Sequence, residues 1–246
     1  MNQMQPHICL DSSFGAHCAL LPGDPKRLDR IAAHLSEVRE LAYNREFRSL
    51  YGVYKGMKLL AVSTGIGGAS CAIAVEELHR LGVDTMIRIG SCGALQQGIG
   101  LGDLILVSGA VRDDGASHTY AEDIYPAVPD HMLLRYCIEA SAGFGLTSHV
   151  GLARSHDSFY TDGQEEIQRH WAKLGVLGCD METAALFVVG RLRGVRTASI
   201  LNNVVLAEAD TAESISSYVD GEDLSAKGET GEILTALEAL LRANAG

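Results

Sequence analysis

A chain of 246 residues that is 47% hydrophobic, 21% charged and 6% aromatic, with 27 glycines and 5 prolines, is neither disordered nor collagen-like, and it is long enough to bury one large α/β core. Its 31 acidic against 20 basic residues leave a formal charge of −11, which repels polyanions and argues against nucleic acid or a membrane surface as a partner. Small anions stay open, because a few local cations and backbone amides outweigh the global field at short range.

In chain order, His17 to Leu21 reads as a short apolar strand stopped by Pro22-Gly23-Asp24-Pro25, after which Leu28, Ile31, Ala32 and Leu35 recur at helical spacing. Tyr51 to Tyr54 and Met57 to Val62 flank Lys55-Gly56 as a hairpin, and the second strand runs into Ser63-Thr64-Gly65-Ile66-Gly67-Gly68. A helix carrying Cys71, Val75, Leu78 and Leu81 on one face follows, with Gly82 placed to end it. Val83 to Ile89 is a strand expected to stop at Gly90-Ser91-Cys92-Gly93, and Asp103 to Val111 is another. Met132 to Ala142 then reads as helix, His149 to Ala153 as strand, Glu165 to Leu174 and Met181 to Leu192 as helices, Val195 to Leu201 as strand, and Glu232 to Ala243 as a closing amphipathic helix. Strands alternating with helices indicate an α/β fold with a largely parallel central sheet. No repeat or linker divides the chain, and the acidic, Ser-rich stretch Leu206 to Ser225 reads as a mobile surface segment.

The six cysteines (Cys9, Cys18, Cys71, Cys92, Cys137 and Cys179) lack metal-ligand spacing and read as buried, reduced thiols. Neither a signal segment nor an apolar run of about 18 residues is present, so a soluble cytoplasmic protein is expected.

The glycine turns at Gly23, Gly65 to Gly68 and Gly90 to Gly93 either punctuate tight connections or bring backbone N–H groups up to an anion. Neither a P-loop nor a complete dinucleotide fingerprint is present. Arg88 interrupts the apolar run Met86 to Gly90, where a guanidinium demands an anionic partner, either an internal carboxylate or a bound phosphate or carboxylate. Arg27 and Arg45 are candidates for the same anion. Asp180 is accounted for by a helix N-terminus, whereas Glu182 enters an apolar stretch and suits acceptance from vicinal hydroxyls.

Pro22-Gly23-Asp24-Pro25 with Arg27, Asn44-Arg45-Glu46-Phe47, Ser63 to Gly68, Arg88 to Gly93, Ser158-Phe159-Tyr160 and Met181-Glu182, in this order and spacing, resemble the nucleoside phosphorylase family, which includes uridine phosphorylases and hexameric purine nucleoside phosphorylases. The resemblance covers nearly the whole chain. It implies a single domain over residues 1–246, with a mixed, twisted central β-sheet flanked by helices. It implies a pentosyltransferase of nucleotide salvage that converts a nucleoside and inorganic phosphate reversibly to free base and ribose 1-phosphate, with no organic cofactor.

By the same resemblance, Gly23, Arg27, Arg88 and Ser91 hold phosphate, and Arg45 reaches in from a neighbouring subunit. Met181 and Glu182 hold the ribose, His7 contacts its 5′-hydroxyl across the interface, and Phe159, Gln164 and Asn203 face the base. Arg88, Glu182 and Asn203 are the expected catalytic set. Glu46, Ile66 and Ser70 match a monovalent cation site, with K+ the expected ion, and a shared site makes a dimer the minimal active unit, within a homohexamer.

The base pocket departs from the pattern. Glu166 stands where uridine phosphorylases carry an arginine, Asp162 is an extra residue, and Asn203 replaces a second arginine as well as the purine enzymes' acid. Uridine-like substrates are favoured on Gln164 and the upstream likeness. A purine nucleoside phosphorylase, a nucleosidase or a non-catalytic nucleoside-binding homologue are the alternatives.

Overall fold

The computed structural model describes residues 4–207 and 223–245, so most of the stretch read as a mobile segment lies outside the described residues. The elements run β1 (Cys18–Pro22), α1 (Arg27–Ala32), β2 (Ser36–Asn44), β3 (Phe47–Tyr54), β4 (Met57–Val62), α2 (Gly68–Arg80), β5 (Thr85–Ala94), β6 (Leu104–Asp113), α3 (Gly115–Tyr120), α4 (His131–Gly143), β7 (Ser148–His156), α5 (Gln164–Lys173), β8 (Gly178–Asp180), α6 (Thr183–Leu192), β9 (Arg196–Val205) and α7 (Asp223–Ala245).

Continuous apolar runs become strands covered on both faces. In β1 and β5, Leu21 and Met86 point to one core with α2 and α6, contributed by Val75, Leu78, Phe187 and Val188. Leu20, Ile87 and Ile89 point to a second core with α1, α4 and α7, contributed by Leu28, Ile31, Leu133, Leu237 and Leu240. Leu237 and Leu240 are fully buried, and each contributes roughly 1.5–3 kcal/mol to docking α7. That docking leaves no room for a side chain at Gly228, where a Cβ would lie 2.1 Å from Asn202 Oδ1 and 2.6 Å from Gly102 Cα.

The sheet order is β2-β3-β4-β1-β5-β8-β7-β6-β9, and β9 also pairs with β5, closing the last five strands into a ring. The sheet is mixed. Pairs β1–β4, β1–β5, β5–β9, β6–β7 and β7–β8 are parallel, whereas β2–β3, β3–β4, β5–β8 and β6–β9 are antiparallel. The expectation of a largely parallel sheet is corrected: the hairpins β2–β3–β4 reverse direction at one end, and ring closure reverses it twice more.

Strand β5 is central to the site. It does not stop at Gly90 but continues to Ala94, pairing with β9 from Thr85 to Gly93. Its other edge is shared, with β1 pairing as far as Ile89 and β8 only from Gly93. Over Gly90 to Cys92 neither strand pairs with this edge, and α/β sheets bind ligands at splits of this kind.

Candidate active site

Two glycine turns meet at this split. Thr64 N–H donates to the Pro22 carbonyl at 2.9 Å and Gly65 N–H to the Gly23 carbonyl at 3.0 Å, so the loops after β1 and β4 are laced together. Gly90 lies against the Arg88 side chain, where any Cβ would fall 2.4 Å from Nη2. The third glycine segment is strand, not turn.

Arg88 is buried and held by two acids. Its Nε donates to Asp180 Oδ2 at 3.0 Å and its Nη2 lies 2.5 Å from Glu182 Oε2. Asp180 is fixed in turn by the Ser155 hydroxyl at 2.6 Å and by the Thr183 amide and hydroxyl at 3.0 and 2.5 Å, the amide contact being the helix N-terminus interaction expected for it. Of the two partners left open for Arg88, the internal carboxylate is therefore the one realised for Nε and Nη2. Nη1 is different. It is buried and makes no hydrogen bond among the described residues, and it lies 3.9 Å from where a Cβ on Gly23 would stand. Burial opposes the charge on Arg88, but Glu182 and Asp180 more than offset it and hold the pKa above its ordinary value. Burial raises the pKa of Glu182 despite Arg88 beside it.

Arg27 opens α1 because Asp24 caps the preceding turn, its carboxylate accepting from Lys26 N–H at 2.9 Å. The Arg27 guanidinium reaches the unpaired stretch of β5, donating to the Ile89 carbonyl at 3.4 Å and to Ser91 Oγ at 3.2 Å. Behind it stand two glutamates of α7, Glu229 Oε1 at 3.5 Å and Glu232 Oε1 at 3.3 Å. Sequence reading missed both, although they carry a signal: Glu229 and Glu232 precede Ile233 and Ala236 by one helical turn and so lie on the buried stripe. Gly23, Arg27, Arg88 and Ser91 thus fall around one split.

On the sugar side, Glu182 is the N-cap residue of α6 without a side-chain capping bond. Its carboxylate instead accepts from Gly67 N–H at 2.6 Å and, weakly, from Met181 N–H at 3.3 Å, so the helix terminus does not explain it. Met181 is half-buried beside it. His7 is held by Glu77 of α2, which accepts from its Nδ1 at 2.6 Å, while Asn44 Nδ2 donates to the His7 carbonyl at 2.8 Å. With Nδ1 committed, Nε2 is the ring nitrogen left for another contact. Arg45 is exposed on the β2–β3 turn next to Asn44, so His7 and Arg45 belong to one surface and neither is brought to Arg88 within the chain.

Glu46 Oε1 accepts from Ser70 Oγ at 3.1 Å, and Ser70 Oγ also meets the Thr64 carbonyl, while the Ile66 side chain is exposed. Among the described residues, no group of three or more His, Cys, Asp or Glu is placed to hold a metal ion.

In the base region, Phe159 is half-buried, with its ring centroid 5.0 Å from that of Tyr160, and Gln164 opens α5 and accepts from the Thr161 hydroxyl at 3.2 Å. Glu166 and Asp162 are exposed. His156, at the end of β7, hydrogen-bonds the Ser158 carbonyl at 2.9 Å; burial, then the Arg154 charge, lower its pKa, so the ring is neutral at pH 7 and steadies this loop.

Asn203 requires a correction. Its Oδ1 accepts from Ala94 N–H at 2.9 Å and its Nδ2 donates to the Gly100 carbonyl at 3.0 Å, with the side chain fully buried. The amide is consumed by backbone and staples β9 to the β5–β6 connection, so it is not presented to a base. Asn203→Ala is expected to cost about 2–4 kcal/mol by orphaning buried backbone groups. Base preference should be unchanged; an altered ratio of pyrimidine to purine turnover in the folded variant would restore the ligand role.

A family model described as "Phosphorylase superfamily" matches residues 17–228. The chain is 40% identical to uridine phosphorylase of Thermococcus kodakarensis over 209 residues, covering 80% of this chain and 76% of that protein. It is 38% identical to guanosine phosphorylase of Halorubrum lacusprofundi over 213 residues, covering 85% and 88%. A crystal structure of uridine phosphorylase from Vibrio fischeri superposes with a TM-score of 0.91 at 45% identity, covering 97% of both chains.

Proposed function

Since the chain belongs to the phosphorylase superfamily and is a nucleoside phosphorylase, a pentosyltransferase acting on a nucleoside and phosphate, we propose that it cleaves uridine-like nucleosides with phosphate seated at the split in β5. The observation that carries this placement is Arg88 Nη1, a buried donor left over after two internal acids have taken the rest of the guanidinium. A buried donor without an acceptor costs about 1–3 kcal/mol, and a phosphate oxygen between it and Gly23 removes that cost.

Cleavage of an N-glycosidic bond builds positive charge on the sugar and negative charge on the departing base. An anion below C1′ therefore stabilises the transition state more than the ground state. Phosphate is both that anion and the nucleophile, and Arg27, Arg88, Ser91 and Gly23 position it. Glu182 orients the sugar through its hydroxyls, with Met181 packed alongside, so attack and departure lie in line. Phe159 and Gln164 receive the base. His7 and Arg45 share the surface built by the Asn44 hairpin, which supports a partner subunit completing each site and hence a dimer-based oligomer, a homohexamer in this reading. The oxygens of Glu46, Ser70 and Thr64 are hard donors that suit K+ at that surface, together with Ile66. The enzyme acts as one domain in the cytoplasm; among the described residues no helix is long and apolar enough to cross a membrane.

One observation favours guanosine-like substrates as a second reading: the pyrimidine-reading arginines are replaced by exposed Glu166 and by Asn203, and a similar relative is a guanosine phosphorylase. Incubating uridine, 2′-deoxyuridine, guanosine and inosine with and without phosphate and separating free base by chromatography tests both. Base release that needs phosphate and is fastest from uridine is expected. Release at equal rates without phosphate would make the protein a nucleosidase, and faster release from guanosine would move the substrate to purines.

A further inference from the structure

We propose that Glu232 of α7 is a positioning residue for phosphate, tying the Arg27 guanidinium to the backbone of β5 at the split in the sheet. This rests on the placement of phosphate given above. Both carboxylate oxygens face the site's framework: Oε2 accepts from Gly90 N–H at 3.1 Å, and Oε1 lies 3.3 Å from Arg27 Nη1 without the alignment of a full hydrogen bond. Gly90 is the first residue of β5 beyond the last partner in β1, so α7 supplies a side-chain acceptor where strand pairing has ended. Arg27 straps the same edge from α1 through the Ile89 carbonyl and Ser91 Oγ. One carboxylate from the end of the chain therefore joins two phosphate-binding segments from its first half, and the buried stripe of α7 carries it there.

The surroundings make this link sensitive to charge. Glu232 faces Arg27 of α1, Arg88 and Cys92 of β5, and Glu229 on its own helix, which also pairs with Arg30. Burial pushes the Glu232 pKa up to about 8, against the pull of Arg27. A phosphate dianion near Arg27 and Arg88 adds further negative charge, so ionisation of Glu232 and phosphate binding oppose each other. As pH rises through 8, the ionised carboxylate engages Arg27 more strongly, and phosphate binds less well.

The test is steady-state kinetics of the full-length enzyme and of Glu232→Gln and Glu232→Asp, varying phosphate and nucleoside separately between pH 7 and 9, with melting temperatures recorded. Glutamine keeps the volume and the acceptor for Gly90 but turns an amide donor toward Arg27. At pH 7.5 the carboxyl is mostly protonated, so glutamine removes little opposing charge and its misplaced donor dominates: KM for phosphate is expected to rise about tenfold, with nucleoside KM within about twofold. The rise of phosphate KM between pH 7.5 and 9 expected of the unaltered enzyme should flatten in Glu232→Gln and persist in Glu232→Asp. Unchanged phosphate KM in folded variants, with or without a lower melting temperature, would reduce Glu232 to scaffold and overturn the proposal. Failure of the placement itself reads differently, as an unaltered enzyme whose base release does not saturate with phosphate.

Discussion

Arg88→Ala is expected to reduce phosphate-dependent base release about a thousandfold, the largest effect of any single change in this chain. Two losses combine. The donor Nη1 disappears from the phosphate side, and Asp180 and Glu182 are left as buried carboxylates without their shared cation. Breaking a buried ion pair on one side costs about 3–5 kcal/mol, so the melting temperature should fall by roughly 10 °C. Arg88→Lys separates the two effects. A lysine retains one positive charge between the acids but has neither the fork nor its third nitrogen, so it should fold close to normally while losing about a hundredfold in rate. Near-normal turnover in either variant, measured as initial rate against phosphate concentration, would place phosphate elsewhere.

The dual use proposed for Arg88 is only half legible in the sequence. A guanidinium within Met86 to Gly90 stands out because a strand covered on both faces excludes charge, and that much follows from spacing. Which anion meets it does not, since Asp180 and Glu182 lie about ninety positions away and come into contact only because β8 pairs with the far half of β5. Helix α2 with Gly82 after it, and the Lys55-Gly56 hairpin, were readable because local geometry decides them. Strand β2 was not, because its first five residues are exposed and two bulges break its register, leaving no period-two pattern to read. Strand β8 spans three residues and α3 six, too few for any periodicity. Asn203 misled for another reason. A position matched by resemblance carries a role only if the side chain there still points outward, and this amide is shorter than the arginine it replaces and finds its partners in the backbone. The sequence reading starts the closing helix at Glu232 and leaves Glu229 outside it, whereas the helix begins nine residues before Glu232, at Asp223, and its buried stripe includes both glutamates.

Glu182 carries the second large effect, and here the substrate itself offers the control. A carboxylate has about four acceptor positions; Gly67 N–H and Arg88 take two at short range, and the 3.3 Å contact from Met181 is weak, which leaves capacity for a vicinal diol. Glu182→Gln cannot satisfy this arrangement, since its amide nitrogen must confront either Gly67 N–H or the Arg88 guanidinium. Loss of about a hundredfold in kcat/KM for uridine is expected, with phosphate KM changed by less than about threefold. The decisive comparison is with 2′-deoxyuridine, which lacks one of the two hydroxyls. If Glu182 binds the diol, the substitution and the missing hydroxyl act on one interaction, so the variant should discriminate between the two nucleosides about tenfold less than the unaltered enzyme does. Equal discrimination in both proteins would show that Glu182 acts only by holding Arg88, and that the ribose is recognised by other groups.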